Sequence, residues 1–130
     1  MNLGSRHVMV VHADDGLDEI SISSPTQVAE LQDGQVRTYA ITPEEFGLRR
    51  VEPAEIAVDS VERSLDFMHS VLDNQLGAAC DVVLLNAGAA IYVAGLAEGL
   101  GEGIERARGV IANGQAREKL AAFIEFTNRF

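Results

Sequence analysis

His7-Val8-Met9-Val10-Val11-His12 is an unbroken apolar run bounded by two histidines, and three of its four apolar residues are valine. Such a run, with no polar residue on either alternating face, suits a strand covered on both faces inside a sheet. It therefore calls for neighbours on either side. The turn-like Asp14-Asp15-Gly16 ends it. Glu19 to Ser23 and then Thr26 to Leu31 read as extended, interrupted by Ser24-Pro25. Asp33-Gly34 has the composition of a tight hairpin turn, and Val36 to Ile41 follows as its second arm.

Beyond the hairpin, Thr42-Pro43-Glu44-Glu45 supplies a cap, a proline at the first helical position and a glutamate at the third, so a short helical turn should run to Gly47. Leu48 to Val58 has no period and is broken by Pro53, which predicts a loop over the surface. The second half is helical. Asp59-Ser60-Val61-Glu62 starts a helix whose Val61, Leu65, Met68 and Leu72 form one apolar stripe, with Gly77 closing it. Asp81 is placed to cap a helix over Val82 to Glu98, where Ala87, Gly88, Ala90, Ala94 and Gly95 allow close approach of a neighbour. A third helix is predicted over Gly101 to Ala112. Asn113-Gly114 separates it from a last one carrying Leu120, Phe123, Ile124 and Thr127.

The predicted fold is α/β: part of a mixed sheet, one central strand plus hairpin strands, followed by about four packed helices. A doubly covered strand followed by a single hairpin gains a neighbour on one side only. The chain is accordingly expected to be a piece of a larger α/β domain.

The 130 residues suffice for one domain with a real core, and 47 % hydrophobic content with only 3 prolines excludes a disordered chain. Twenty acidic against ten basic residues give a net charge of -10, which repels nucleic-acid phosphates and anionic membranes. The apolar stretch Val82 to Ala97 is too short and too rich in Ala and Gly for a membrane span and contains Asn86, so it reads as a buried helix. A lone Cys80 and the lack of a secretory signal point to the cytoplasm.

The densest polar feature is Asp14-Asp15-Gly16-Leu17-Asp18-Glu19, four carboxylates directly after the apolar strand. Ligands sit at the ends of buried strands in α/β sheets, and oxygen-rich sites suit Mg²⁺. On composition alone a solvated acidic turn is the simpler reading, and the spacing does not satisfy a calcium-binding EF-hand loop. Gly99, Gly101 and Gly103 lack the spacing of a phosphate loop and follow a helix, so a helix-to-helix joint is expected. His7, His12 and His69 have no partner at metal-ligand spacing. Ser21, Ser23 and Ser24 lack a nucleophile elbow. Asp81 beside Cys80 disfavours a thiolate.

Val10-Val11-His12-Ala13-Asp14-Asp15-Gly16-Leu17-Asp18-Glu19-Ile20-Ser21, then Thr26-Gln27-Val28-Ala29-Glu30-Leu31, closely resembles anthranilate phosphoribosyltransferase. Leu84-Leu85-Asn86-Ala87-Gly88-Ala89-Ala90-Ile91-Tyr92-Val93-Ala94-Gly95 does too, with Pro43-Glu44-Glu45-Phe46-Gly47-Leu48 in the matching order between them. The resemblance implies an enzyme of tryptophan biosynthesis that transfers phosphoribosyl from phosphoribosyl pyrophosphate to anthranilate with Mg²⁺. It has a small helical domain, which forms a homodimer, and a large α/β domain. On the resemblance, Asp18 and Glu19 match the acidic pair that holds magnesium, which reverses the solvated-turn reading. Asp14 and Asp15 match less constrained positions and are left outside the site.

Two departures accompany the resemblance. Ala13 stands where a glycine is common. The family's Gly-Thr-Gly-Gly-Asp pyrophosphate loop, its Lys-His-Gly-Asn segment, its anthranilate contacts and its helical domain have no counterpart in the chain. Residues 1-130 are therefore expected to be the C-terminal part of the large α/β domain. No catalytic residue is assigned and substrate-binding residues are unknown. The 130 residues alone are expected to be inactive and, through exposed apolar surface on the Val8 to Val11 strand or the helices, to self-associate. Two rival readings stay open: a pyrimidine nucleoside phosphorylase-like fragment, and a non-catalytic binding module with the same fold.

Overall fold

A computed structural model describes residues 4–130. Strands β1 (His7–Ala13), β2 (Thr26–Gln32) and β3 (Gln35–Ile41) form an antiparallel sheet in the order β1-β2-β3. Two 3-10 turns, Pro43–Phe46 and Pro53–Glu55, lead to helices α1 (Val61–Leu72), α2 (Ala78–Val93), α3 (Leu100–Ala112) and α4 (Gln115–Thr127). The α/β reading and the order of elements agree with the sequence.

The hairpin turns where expected, because Asp33 and Gly34 both take positive φ (51° and 75°) and set Gln32 opposite Gln35. The middle strand of the described sheet is β2, so β1 is an edge strand rather than the central one. It has a neighbour on one side, as its sequence implied, and its outer face is bare, with Val10 63 % exposed. Glu19 to Ser23 is not extended pairing but irregular chain that buries Ile20, Ser21 and Ile22. The loop after Gly47 is likewise less superficial than predicted: Leu48 and Val51 enter the core, and the Val51 N–H donates to the Ile22 carbonyl at 3.2 Å.

The helix ends differ from the predicted ones for a common reason. Asn74 (φ 56°) ends α1, and Gly95 (φ 73°) ends α2, each in a left-handed C-terminal cap. At α2 the Gly95 N–H reaches the Tyr92 carbonyl and the Leu96 N–H the Ile91 carbonyl, so the helix stops at Val93, not Glu98. At the other end the helix begins at Ala78 after Gly77, which places Asp81 inside the first turn rather than at the cap.

One core joins sheet and helices around Ile20, Ile22, Val28, Leu84, Leu85 and Ile104. Helices α2 and α3 meet at Gly88 and Gly103: a β-carbon on Gly88 would come within 2.6 Å of the Ile104 side chain. Of the three glycines read as a joint, only Gly99 precedes α3, while Gly101 and Gly103 lie inside it. The α1 stripe is present but open, with Val61 72 % exposed and Val71 the helix's buried residue. Helix α4 buries no residue. Among the described residues no helix is long and apolar enough to cross a membrane.

Candidate functional site

The acidic stretch leaves the C-terminal end of β1 as a tight loop. Gly16 takes a φ of 90° that side-chain-bearing residues avoid, and its N–H reaches the Ala13 carbonyl at 3.0 Å. Asp15 organises the rest of the loop. Its Oδ1 accepts from the Leu17 N–H at 3.1 Å, its Oδ2 accepts from the Ser21 hydroxyl at 2.6 Å, and its own N–H donates to Ser24 Oγ at 3.2 Å. Burial opposes the Asp15 charge, but these hydrogen bonds outweigh it and hold the carboxyl below its ordinary pKa. Ser21 and Ser24 are thus structural: Ser21 is fully buried and also accepts from the Ser23 N–H at 2.9 Å, whereas the buried Ser23 hydroxyl has no hydrogen-bond partner among the described residues.

The far side of the loop is held from a distant part of the chain. Asn86, in the middle of α2, accepts from the Ile20 N–H at 2.9 Å through Oδ1 and donates through Nδ2 to the Ile20 carbonyl at 2.9 Å. The same Nδ2 donates to the Val82 carbonyl one turn back in its own helix, also at 2.9 Å. In the sequence Asn86 argues against a membrane span and falls within one of the strings of the resemblance, with no structural role assigned to it. Yet a lone amide in the apolar Leu84-Leu85-Asn86-Ala87-Gly88 helix is itself a signal, since a polar group there must find partners.

Between these two anchors stand Asp18 and Glu19, both exposed. Neither is in an ion pair among the described residues. Neighbouring protein atoms desolvate the Glu19 carboxyl and raise its pKa, and the Asp18 charge raises it further. Two adjacent, unpaired carboxylates that repel each other fit the donor chemistry of a hard cation. No third His, Cys, Asp or Glu gathers with them among the described residues. Mg²⁺ tolerates this, because it commonly takes one or two carboxylates and fills its octahedron with water and phosphate oxygens.

The remaining polar groups serve packing. At the opposite end of β1, His7 Nε2 donates to Glu30 Oε1 at 2.8 Å and the Tyr39 hydroxyl donates to Oε2 at 2.9 Å, satisfying a nearly buried carboxylate. His12 is exposed at the sheet and His69 lies in the last turn of α1. Cys80 is buried, and desolvation, then the Asp81 charge, pushes its thiol up.

Residues 1–117 match the model of the glycosyl transferase family, a/b domain. The anthranilate phosphoribosyltransferase of Nitrosomonas europaea is 52 % identical over 99 % of this chain and 38 % of its own length. That of Thioalkalivibrio sulfidiphilus is 57 % identical over 96 % and 37 %. Among solved structures, anthranilate phosphoribosyltransferase from Thermus thermophilus superposes with a TM-score of 0.82 at 34 % identity, covering 92 % of this chain and 35 % of that one. The Saccharomyces cerevisiae enzyme in complex with PRPP and Mg gives 0.83 at 25 % identity, over 94 % and 35 %. The chain spans little more than a third of the relatives it matches, at 38 % of the first. It belongs to the glycosyl transferase family, a/b domain, and within that family is similar to a C-terminal portion of the anthranilate phosphoribosyltransferases.

Proposed function

We propose that this chain is the magnesium-holding, C-terminal part of the large α/β domain of an enzyme of tryptophan biosynthesis, one that transfers phosphoribosyl from phosphoribosyl pyrophosphate to anthranilate. The observation that carries the reading is the exposed Asp18-Glu19 pair, unpaired and strung between two anchored points of one loop at the end of β1. The similarity to anthranilate phosphoribosyltransferases, and the PRPP and Mg bound by the yeast enzyme, support it. A bound Mg²⁺ supplies positive charge against the pyrophosphate, whose negative charge grows as the glycosidic bond breaks.

The chain's own residues divide that work. Asp18 and Glu19 provide the carboxylates, Asp15 and Ser21 set the entry to the loop, and Asn86 sets its exit. Grip on the sugar phosphate and on anthranilate belongs to segments of the relatives outside the match, including a helical domain that pairs two copies. The 130 residues alone then leave both substrates unheld and turn over nothing.

Anthranilate fluorescence tests this. With phosphoribosyl pyrophosphate and Mg²⁺, the isolated chain is expected to leave the signal constant. Joined to the part of the Nitrosomonas europaea relative outside the match, it is expected to consume anthranilate. A folded fusion without turnover contradicts the reading, as does full-rate turnover by the chain alone.

A further inference from the structure

Outside its own helix the Asn86 side chain bonds one residue, Ile20, and that residue adjoins the acidic pair. Its amide closes on both backbone polar groups of Ile20, at 2.9 Å each, across 66 positions of sequence. The Ile20 N–H belongs to the peptide unit that also contains the Glu19 carbonyl. Holding that N–H orients the plane of the Glu19–Ile20 peptide and places the Glu19 Cα within it, which narrows the directions open to the Glu19 side chain to those reached by rotation about its Cα–C bond.

The support beneath the clamp is stiff. Nδ2 is itself held by the Val82 carbonyl at 2.9 Å, which leaves the amide one orientation. Ile20 is 2 % exposed, so no water replaces the amide cheaply. Two residues along α2, Gly88 lies directly against Ile104, so the helix cannot shift toward or away from α3 without loss of contact. At the other side of the pair, Leu17 is held by Asp15 Oδ1 at 3.1 Å. Asp18 and Glu19 are the two residues between these fixed points.

We propose that Asn86 is a positioning residue for the Asp18-Glu19 pair, orienting the Glu19–Ile20 peptide so that both carboxylates face one divalent cation. The inference rests on the magnesium reading above. It concerns how α2 supports the pair, not which group touches substrate. Partners that orient a ligand from behind typically change metal affinity by about 10- to 100-fold when removed.

The test uses the chain itself, with Mn²⁺ as the probe, free ion being read by electron paramagnetic resonance. Asn86→Ala is expected to weaken Mn²⁺ about tenfold relative to the unaltered chain, and the paired change Asp18→Asn with Glu19→Gln to abolish specific binding. In parallel, ¹⁵N relaxation without metal should show the Glu19 and Ile20 amides falling from an order parameter of about 0.85 to below about 0.6 in Asn86→Ala while β2 stays rigid. Unchanged Mn²⁺ affinity in Asn86→Ala, or unchanged amide order, overturns the inference and leaves the magnesium reading standing. If the unaltered chain and the Asp18/Glu19 variant bind Mn²⁺ equally, the magnesium reading falls, and this inference with it. Should Asn86→Ala fail to fold, Asn86→Asp, which keeps an acceptor for the Ile20 N–H, replaces it in both measurements. Unfolding of both variants makes Asn86 a stability residue and overturns its positioning role.

Discussion

The Ser21 hydroxyl donates to Asp15 Oδ2 at 2.6 Å and so ties the entry of the acidic loop to its fully buried floor. The bond makes Asp15 a structural carboxylate, although it looks no different in sequence from Asp18 three residues on. Ser21→Ala should raise the Asp15 pKa towards the ordinary value and lower stability by about 1 kcal/mol, the worth of a charge-assisted bond discounted because Asp15 is exposed. Carboxyl NMR titration and urea unfolding at pH 7 check the two effects. An unmoved Asp15 titration would show that the bond does not form in solution.

Acid stability should carry opposite contributions from different carboxylates. Burial raises Glu30, but the surrounding tyrosine hydroxyls and His7 outweigh it, so Glu30, like Asp15, is held below its ordinary value. Their contributions are present above the unfolded values of 3.8 and 4.5 and are lost as pH falls through the lower folded ones. Glu19 works the other way. Its raised value makes its contribution complete below 4.5 and lost as pH rises through the folded pKa. Asp18→Asn, or addition of Mg²⁺, should therefore lower the Glu19 titration midpoint, and an unchanged midpoint on both treatments would remove the electrostatic case for the pair.

Glycines inside the helices should respond with opposite signs. Alanine at Gly88 would bring a methyl to 2.7 Å from the Ile104 backbone nitrogen, and alanine at Gly103 would overlap the Gly88 carbonyl. Each should destabilise by about 1–3 kcal/mol, the usual range for an overpacked contact. Nothing lies near Gly109 on the exposed side of the same helix, so Gly109→Ala should stabilise by roughly 0.4–1 kcal/mol. Thermal unfolding of the three variants suffices, and equal signs would contradict the α2–α3 crossing.

Local chemistry made much of this fold legible. Asp33-Gly34 specified its hairpin, Ser60 capped α1 by accepting from the Arg63 N–H at 3.2 Å, and Thr42 with Glu45 formed the predicted box. The features that escaped were set by tertiary packing. The Val61, Leu65 and Met68 stripe gives a helical period without saying whether anything covers it, and here it is exposed. The end of α2 turned on Gly95, which reads in sequence as one more small packing residue but serves as a cap. The acidic pair was visible through the strings around it, whereas its support was not. Asn86 and Ile20 are joined only once the helix has folded back over the end of β1.

The most direct test of the whole account is the Mg²⁺ dependence of anthranilate consumption by this chain fused to the part of the Nitrosomonas europaea relative outside the match, compared with the same fusion carrying Asp18→Asn and Glu19→Gln. The expected result is turnover that requires Mg²⁺ and falls by at least about 100-fold in the double variant, whose fold is unchanged. Undiminished, Mg²⁺-dependent turnover without the two carboxylates would contradict the account, because the metal would then be held elsewhere.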